Sequence, residues 1–142
     1  MAGSLADYLE KKMIDDWFGK AANAVPATVY LALFTDSNSA AQRDAGTVTE
    51  VTGNAYARVA VTNNATNFPN ASGVGAAKSL HVAFSFPAPT PGNWGTVTAF
   101  GIYDAASAGN LLAWGDLTTP RVINGGDGAP SFAVDALTFS LD

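Results

Sequence analysis

The sequence predicts a mainly β fold, an antiparallel β-sandwich or open barrel preceded by an N-terminal amphipathic helix. Three observations predict it. Residues 28–35 (Thr-Val-Tyr-Leu-Ala-Leu-Phe-Thr) alternate with apolar side chains on both faces, the pattern of a strand covered on two sides. Short runs of this kind recur, separated by clusters of Gly, Asn and Pro, as in sandwiches and barrels. Ahead of Pro26 the period is instead four, with Leu5, Leu9, Met13 and Trp17 in one stripe, which is a helical signature.

The helix is expected over residues 4–20. Ser4 can cap it, with Asp7 three residues later in a near-capping box. Ile14 and Phe18 widen the stripe, and Gly19 lies where a glycine commonly ends a helix. Asp7, Glu10, Lys11, Lys12, Asp15 and Asp16 mostly face elsewhere. Strands are then expected at 28–35, 55–62, 80–86, 96–103 and 111–117, with a short edge strand at 120–123 and a last strand at 132–141. Leu80, Val82, Phe84 and Phe86 share one face of the third strand, which the proline-rich stretch 87–92 stops. The parity of the last strand slips near Asp135-Ala136, as a β-bulge would produce. Residues 36–49 and 63–77 read as surface loops, 104–110 as a hairpin loop and 124–128 as a tight turn. Residues 1–25 therefore form a helical arm and 26–142 one β domain.

The chain has 142 residues and no cysteine, enough for a core without disulfides or metals. Charged residues make up 13%, against roughly 25% in an average soluble domain. Charge depletion of this kind marks the buried centres of protein–protein interfaces. The formal net charge of −5 and the scattered basic residues argue against a nucleic-acid partner. No apolar run reaches the length of a membrane helix, so no membrane partner is expected.

Chemistry is not evident. His81 is the single histidine, and no Gly-x-Ser-x-Gly elbow accompanies it. Asp15 and Asp16 are adjacent on a helix and point about 100° apart. The stretch 124–128 has one acidic residue, Asp127, too few for an EF-hand loop. No catalytic, cofactor-binding or metal site is therefore assigned, and the protein is expected not to be an enzyme. The candidate partner surface is Leu9, Met13, Trp17 and Phe18 on the helix, since aromatics anchor interfaces. Tyr56 and Arg58, two residues apart, are expected on one face of a strand. Tyr30, Tyr56, Trp94, Phe100, Tyr103 and Trp114 could form a sugar-binding surface, but their places within strands favour core packing; Trp94, just after a Pro/Gly turn, is the best candidate among them for exposure.

Several segments together carry a resemblance. They are 30–35 (Tyr-Leu-Ala-Leu-Phe-Thr), 50–58 (Glu-Val-Thr-Gly-Asn-Ala-Tyr-Ala-Arg), 94–104 (Trp-Gly-Thr-Val-Thr-Ala-Phe-Gly-Ile-Tyr-Asp), 111–115, 117–120 and the closing 137–142. With the leader 4–9, this set resembles a family of small tailed-phage virion proteins described as tail-fibre-like or capsid-decorating. Family members typically carry Glu-Val-Ser-Gly-Gly-Gly-Tyr-Ala-Arg, from which Thr52, Asn54 and Ala55 depart. The resemblance implies a virion structural protein on the capsid exterior, assembled in the host cytoplasm. It implies a homotrimer that cements the capsomers of an HK97-type shell, with the major capsid protein as partner. A tail-fibre or tail-tip module in host attachment is the alternative.

Overall fold

Residues 28–34 take the form their two-sided alternation dictates. In a computed structural model that describes residues 3–19, 22–71 and 77–140, Thr28–Phe34 is a strand inside a five-stranded antiparallel sheet. In chain order the elements are β1 (Gly3–Leu5), α1 (Asp7–Phe18), β2 (Thr28–Phe34), α2 (Ala40–Asp44), β3 (Val59–Thr62), β4 (Lys78–Ser79), β5 (Phe84–Ser85), β6 (Gly95–Tyr103), β7 (Leu111–Ile123), β8 (Ser131–Phe132) and β9 (Thr138–Phe139). The sheet order is β1-β7-β6-β2-β3. Two short ladders, β4 with β9 and β5 with β8, supply a second layer, so the mainly β, sandwich-like expectation holds.

Each sheet face has its own core. Val29, Leu31 and Leu33 of β2 join Phe100 and Ile102 of β6, with Phe68, Leu80, Phe86 and Leu137 above them from the covering layer. Ala32 and Phe34 point the other way, with Ala99, Tyr103, Leu111 and Trp114. Close approach explains two glycines. A Cβ at Gly101 would stand 2.3 Å from the Phe34 ring, and one at Gly115 would stand 2.5 Å from Phe100.

Several expected boundaries move, each for a physical reason. Ser4 does not cap a helix, because residues 3–5 pair with Gly115, Trp114 and Ala113 of β7. The helix starts at Asp7, after Ala6. The strand expected from residue 55 starts at Val59, because Gly53, Asn54 and Ala55 all have positive φ (71°, 50° and 64°). Left-handed backbone costs a residue with a Cβ roughly 1–2 kcal/mol, so Asn54 and Ala55 depart from the family's glycines at strained positions. Residues 111–123 form one strand rather than two, and Pro120 falls in a register break between the pairs Ala99↔Asp116 and Val97↔Arg121. The strands expected at 80–86 and 132–141 break into two-residue ladders. A turn with Asp135 at φ 59° stands where the parity slips. Residues 36–49 contain α2, closed by a capping box in which Ser39 and Gln42 bond each other's backbone. Within the expected loop 63–77, Phe68 is buried, and 72–76 lie outside the described residues, as do 141–142 of the last expected strand.

Candidate functional site

α1 lies against β7 and packs Tyr8 and Leu9 on the core. From Met13 onward its apolar side chains leave the protein. Ile14 is 60% exposed, Trp17 79% and Phe18 88%. The candidates Leu9, Met13, Trp17 and Phe18 thus divide: Leu9 serves the core, while Trp17 and Phe18 stand in solvent. Met13 also borders an apolar cleft of about 270 Å³ between α1 and residues 23–26.

Tyr56 and Arg58 converge on one carboxylate rather than lining a strand face. Arg58 meets Glu50 through two parallel bonds, Nε to Oε1 at 2.8 Å and Nη2 to Oε2 at 2.7 Å. This is the bidentate fork that guanidinium geometry favours. Its Nη1 donates to the Ala105 and Ala108 carbonyls at 2.7 and 2.8 Å, and its guanidinium carbon stacks 3.6 Å from the Tyr103 ring centroid. The Tyr56 hydroxyl donates to Glu50 and accepts from the Leu33 amide of β2. Residues 50–58, β2 and the 104–110 hairpin are thereby tied at one point.

This surrounding shapes the titration of its members. Burial works against the Arg58 charge, but the hydrogen bonds and attraction of Glu50 outweigh it and raise its pKa above the ordinary value. Burial first, then the Glu50 charge, pushes the Tyr103 phenol up to about 12. Tyr56 moves up as well, chiefly through burial. At neutral pH these shifts keep the two phenols neutral and Arg58 charged.

A second anchor lies on the same sheet face, beside Trp114. Arg43 of α2 is buried, and its Nε and Nη2 both donate to Asp36 Oδ1, at 3.0 and 2.9 Å. Its Nη1 reaches Asp116 on β7. The other Asp36 oxygen accepts the Thr49 amide at 2.8 Å. Arg43 fixes α2 to the sheet, and only the local capping signature hinted at α2 in the sequence.

Trp94 contradicts its expected exposure. It is 6% exposed, edge-on to Tyr56 and Phe86, and its Nε1 donates to the Asn54 carbonyl at 2.9 Å. It fixes the positive-φ turn instead of offering a surface. His81 contacts Asp135 through Nδ1, and Ser79 donates to the same aspartate at 2.6 Å. Serine and histidine both point at the carboxylate here, so the serine is not placed for activation by the imidazole, which a serine triad requires.

A polar cleft of about 800 Å³ separates α1 from residues 44–50 and the 104–110 hairpin. Glu50, Arg58 and Tyr103 form part of its wall; Glu50 and Arg58 are bonded to each other, and the Tyr103 ring lies against the guanidinium. On the geometry, Arg43, Arg58 and their carboxylate partners hold loops to a sheet, and the largest exposed apolar side chains among the described residues, Trp17 and Phe18, are at the end of α1.

Among known proteins, the family model described as podophage GP4 fiber I protein gp80 matches residues 4–140. A search of curated proteins returns no match. The matched span takes in β1, the five-stranded sheet, both anchoring arginines and the covering ladders. The chain therefore belongs to the family of the podophage GP4 fiber I protein gp80 and is a structural protein of a tailed-phage virion.

Proposed function

We propose that the protein is a non-enzymatic fibre subunit, a rigid module held in the virion by contacts between proteins. The observation that carries this reading is the family match, which runs through both layers of the fold and is described as a fibre protein. The two arginine anchors support it. Arg43 and Arg58 commit their donors to Asp36, Asp116, Glu50 and loop carbonyls, which stiffens a frame and leaves those groups no substrate to bind.

One structural observation favours a second reading, a cement protein seated on the major capsid protein. The described residues form a two-layer frame with no repeated shaft. Cryo-electron microscopy of the assembled virion separates the two. The expected result is density for this frame on a tail appendage. Density on the shell at capsomer junctions would replace the fibre reading with the cement reading.

A further inference from the structure

The polar cleft beside α1 is bordered by groups that the fold leaves uncommitted. Its volume of about 800 Å³ lies within the range of small-ligand sites, roughly 300–1,000 Å³. One wall is a face of α1. Asp7, Lys11 and Asp15 recur every four residues, a spacing that sets side chains above one another on a helix, and all three border the cleft. Their side chains form no ion pair or hydrogen bond among the described residues.

The floor of the cleft supplies an independent observation. Tyr103 is 7% exposed, yet its hydroxyl makes no hydrogen bond among the described residues. The Arg58 stack and the edge contact with Phe34 engage its ring and not its oxygen. No enclosed side-chain oxygen among the described residues lacks a partner, so the Tyr103 oxygen is not sealed in. It opens on the cleft that the residue lines. A phenol hydroxyl both donates and accepts, and here both capacities are left for a ligand.

The far walls are fixed in advance. Arg58 holds the Ala105 and Ala108 carbonyls, and Asp104 accepts the Asn110 amide at 2.7 Å and its side-chain amide at 2.8 Å. The Trp114 indole donates to Asp44 Oδ1 and so orients that carboxylate at the cleft edge. A preset site loses little freedom on binding.

The mixture of donors and acceptors selects the class of ligand. Four carboxylates and three cations border the cleft, and Lys11 stands between Asp7 and Asp15. A phosphate or an acidic sugar would meet the aspartates, and a basic side chain would sit beside Lys11 and Arg58. A neutral polyol meets no like charge. Each of its hydroxyls can donate to a carboxylate and accept from an ammonium or the phenol. We infer that this cleft binds a neutral oligosaccharide, with Asp7, Lys11 and Asp15 along one side, Asp44 on the other and the Tyr103 hydroxyl at the floor. The site does not depend on whether the protein sits on a fibre or a shell.

Two-dimensional amide NMR on the isotope-labelled full chain tests this. The probes are neutral oligosaccharides of glucose, galactose, mannose and N-acetylglucosamine, with their uronic-acid counterparts and an oligolysine peptide for comparison. Wild type is expected to bind a neutral probe, with shifts at Gly46, Gly109 and Asn110 around the cleft and none at Trp17. Losing one neutral hydrogen bond weakens binding about fivefold, so Tyr103→Phe should do so with an unchanged circular dichroism spectrum. Lys11→Met and Asp15→Asn change exposed residues and remove charged partners, so each should weaken binding about tenfold. Phe18→Ser, outside the cleft, should bind as wild type does. Failure of every neutral probe to bind, tighter binding of the uronic-acid forms, binding of oligolysine in place of the sugars, or an affinity unmoved by Tyr103→Phe would each overturn the inference. Whether the protein is a fibre subunit is read separately, from its position on the virion.

Discussion

Arg43 and His81 each face an aspartate, and the two contacts differ above all in burial. The side chains of Arg43 and Asp36 are 4% and 3% exposed, those of His81 and Asp135 53% and 48%. The buried pair joins a helix to the sheet and also satisfies the Thr49 amide. The exposed pair spans a turn beside two-residue ladders and is surrounded by water. Arg43 also carries a fixed charge and reaches a second carboxylate, Asp116, so burial and charge act together there. Where water is excluded, breaking one partner strands a charge; where water is present, it fills the vacancy.

The largest expected effect is therefore Arg43→Ala. It leaves Asp36 charged and buried, at a cost of about 3–5 kcal/mol in urea unfolding. The double variant Arg43→Met/Asp36→Leu should be less destabilised than Arg43→Ala, because no lone charge remains. Equal losses would show that the anchor acts by packing alone.

Arg58→Lys comes next. Lysine keeps the charge but forfeits the fork on Glu50 and the stack on Tyr103, with an expected loss of about 1.5–3 kcal/mol. A loss confined to a few tenths would place the value of this site in charge and not in planar geometry.

Alkaline pH probes the same site. The fold holds Tyr103 neutral to about 12, while an unfolded chain releases that proton at its ordinary 10.0. Stability from this group is fully present below 10.0 and is lost as pH rises toward about 12. Urea midpoints should fall over that window, and Tyr103→Phe should flatten part of the fall. An identical slope in the variant would remove Tyr103 from the account.

The smallest effect is expected at the exposed pair. Hydrogen bonds from Ser79 first and His81 next hold Asp135 below the ordinary carboxylate value of 3.8. A depressed carboxylate adds stability above its unfolded value and loses it as pH falls through its folded one. Water screens this site, so Asp135→Asn should leave the melting temperature at neutral pH unchanged within error. Any small difference from wild type is confined to pH above the carboxylate range and vanishes in acid, where Asp135 is protonated. A clear drop at neutral pH would mean that the turn at 135 carries more of the covering layer than its exposure suggests.

The same contrast explains what could be read in the sequence. β2 was legible because both of its faces are buried, so every residue reports its side. α1 was legible from its stripe, but its start was not, since Ser4 and Leu5 are captured by β7 from more than a hundred residues away. Alternation correctly placed Leu80 and Phe86 in the core, yet period two reports which way a side chain points and not whether its backbone finds a neighbour. α2 carried a usable signal, the Ser39-x-x-Gln42 box, in a segment otherwise polar enough to pass for a loop. The convergence of Tyr56 and Arg58 on Glu50 needed the left-handed turn at 53–55, which local pattern does not reveal. Trp94 looked exposed because it follows a turn; the partners that bury it, Tyr56 and Phe86, come from other segments. The unpartnered end of α1 was the part of the candidate surface visible in the sequence itself.

The amide of Ser140 donates to the Gly3 carbonyl, and these residues are 137 positions apart. Closing so long a span is entropically the most demanding step this sheet offers, so β1 is expected to be laid down after the β2–β6–β7 centre has formed. α1 is tethered through that same late edge strand. The helix thus takes its place only after β7 has been made, since β1 pairs with β7 and α1 packs on it.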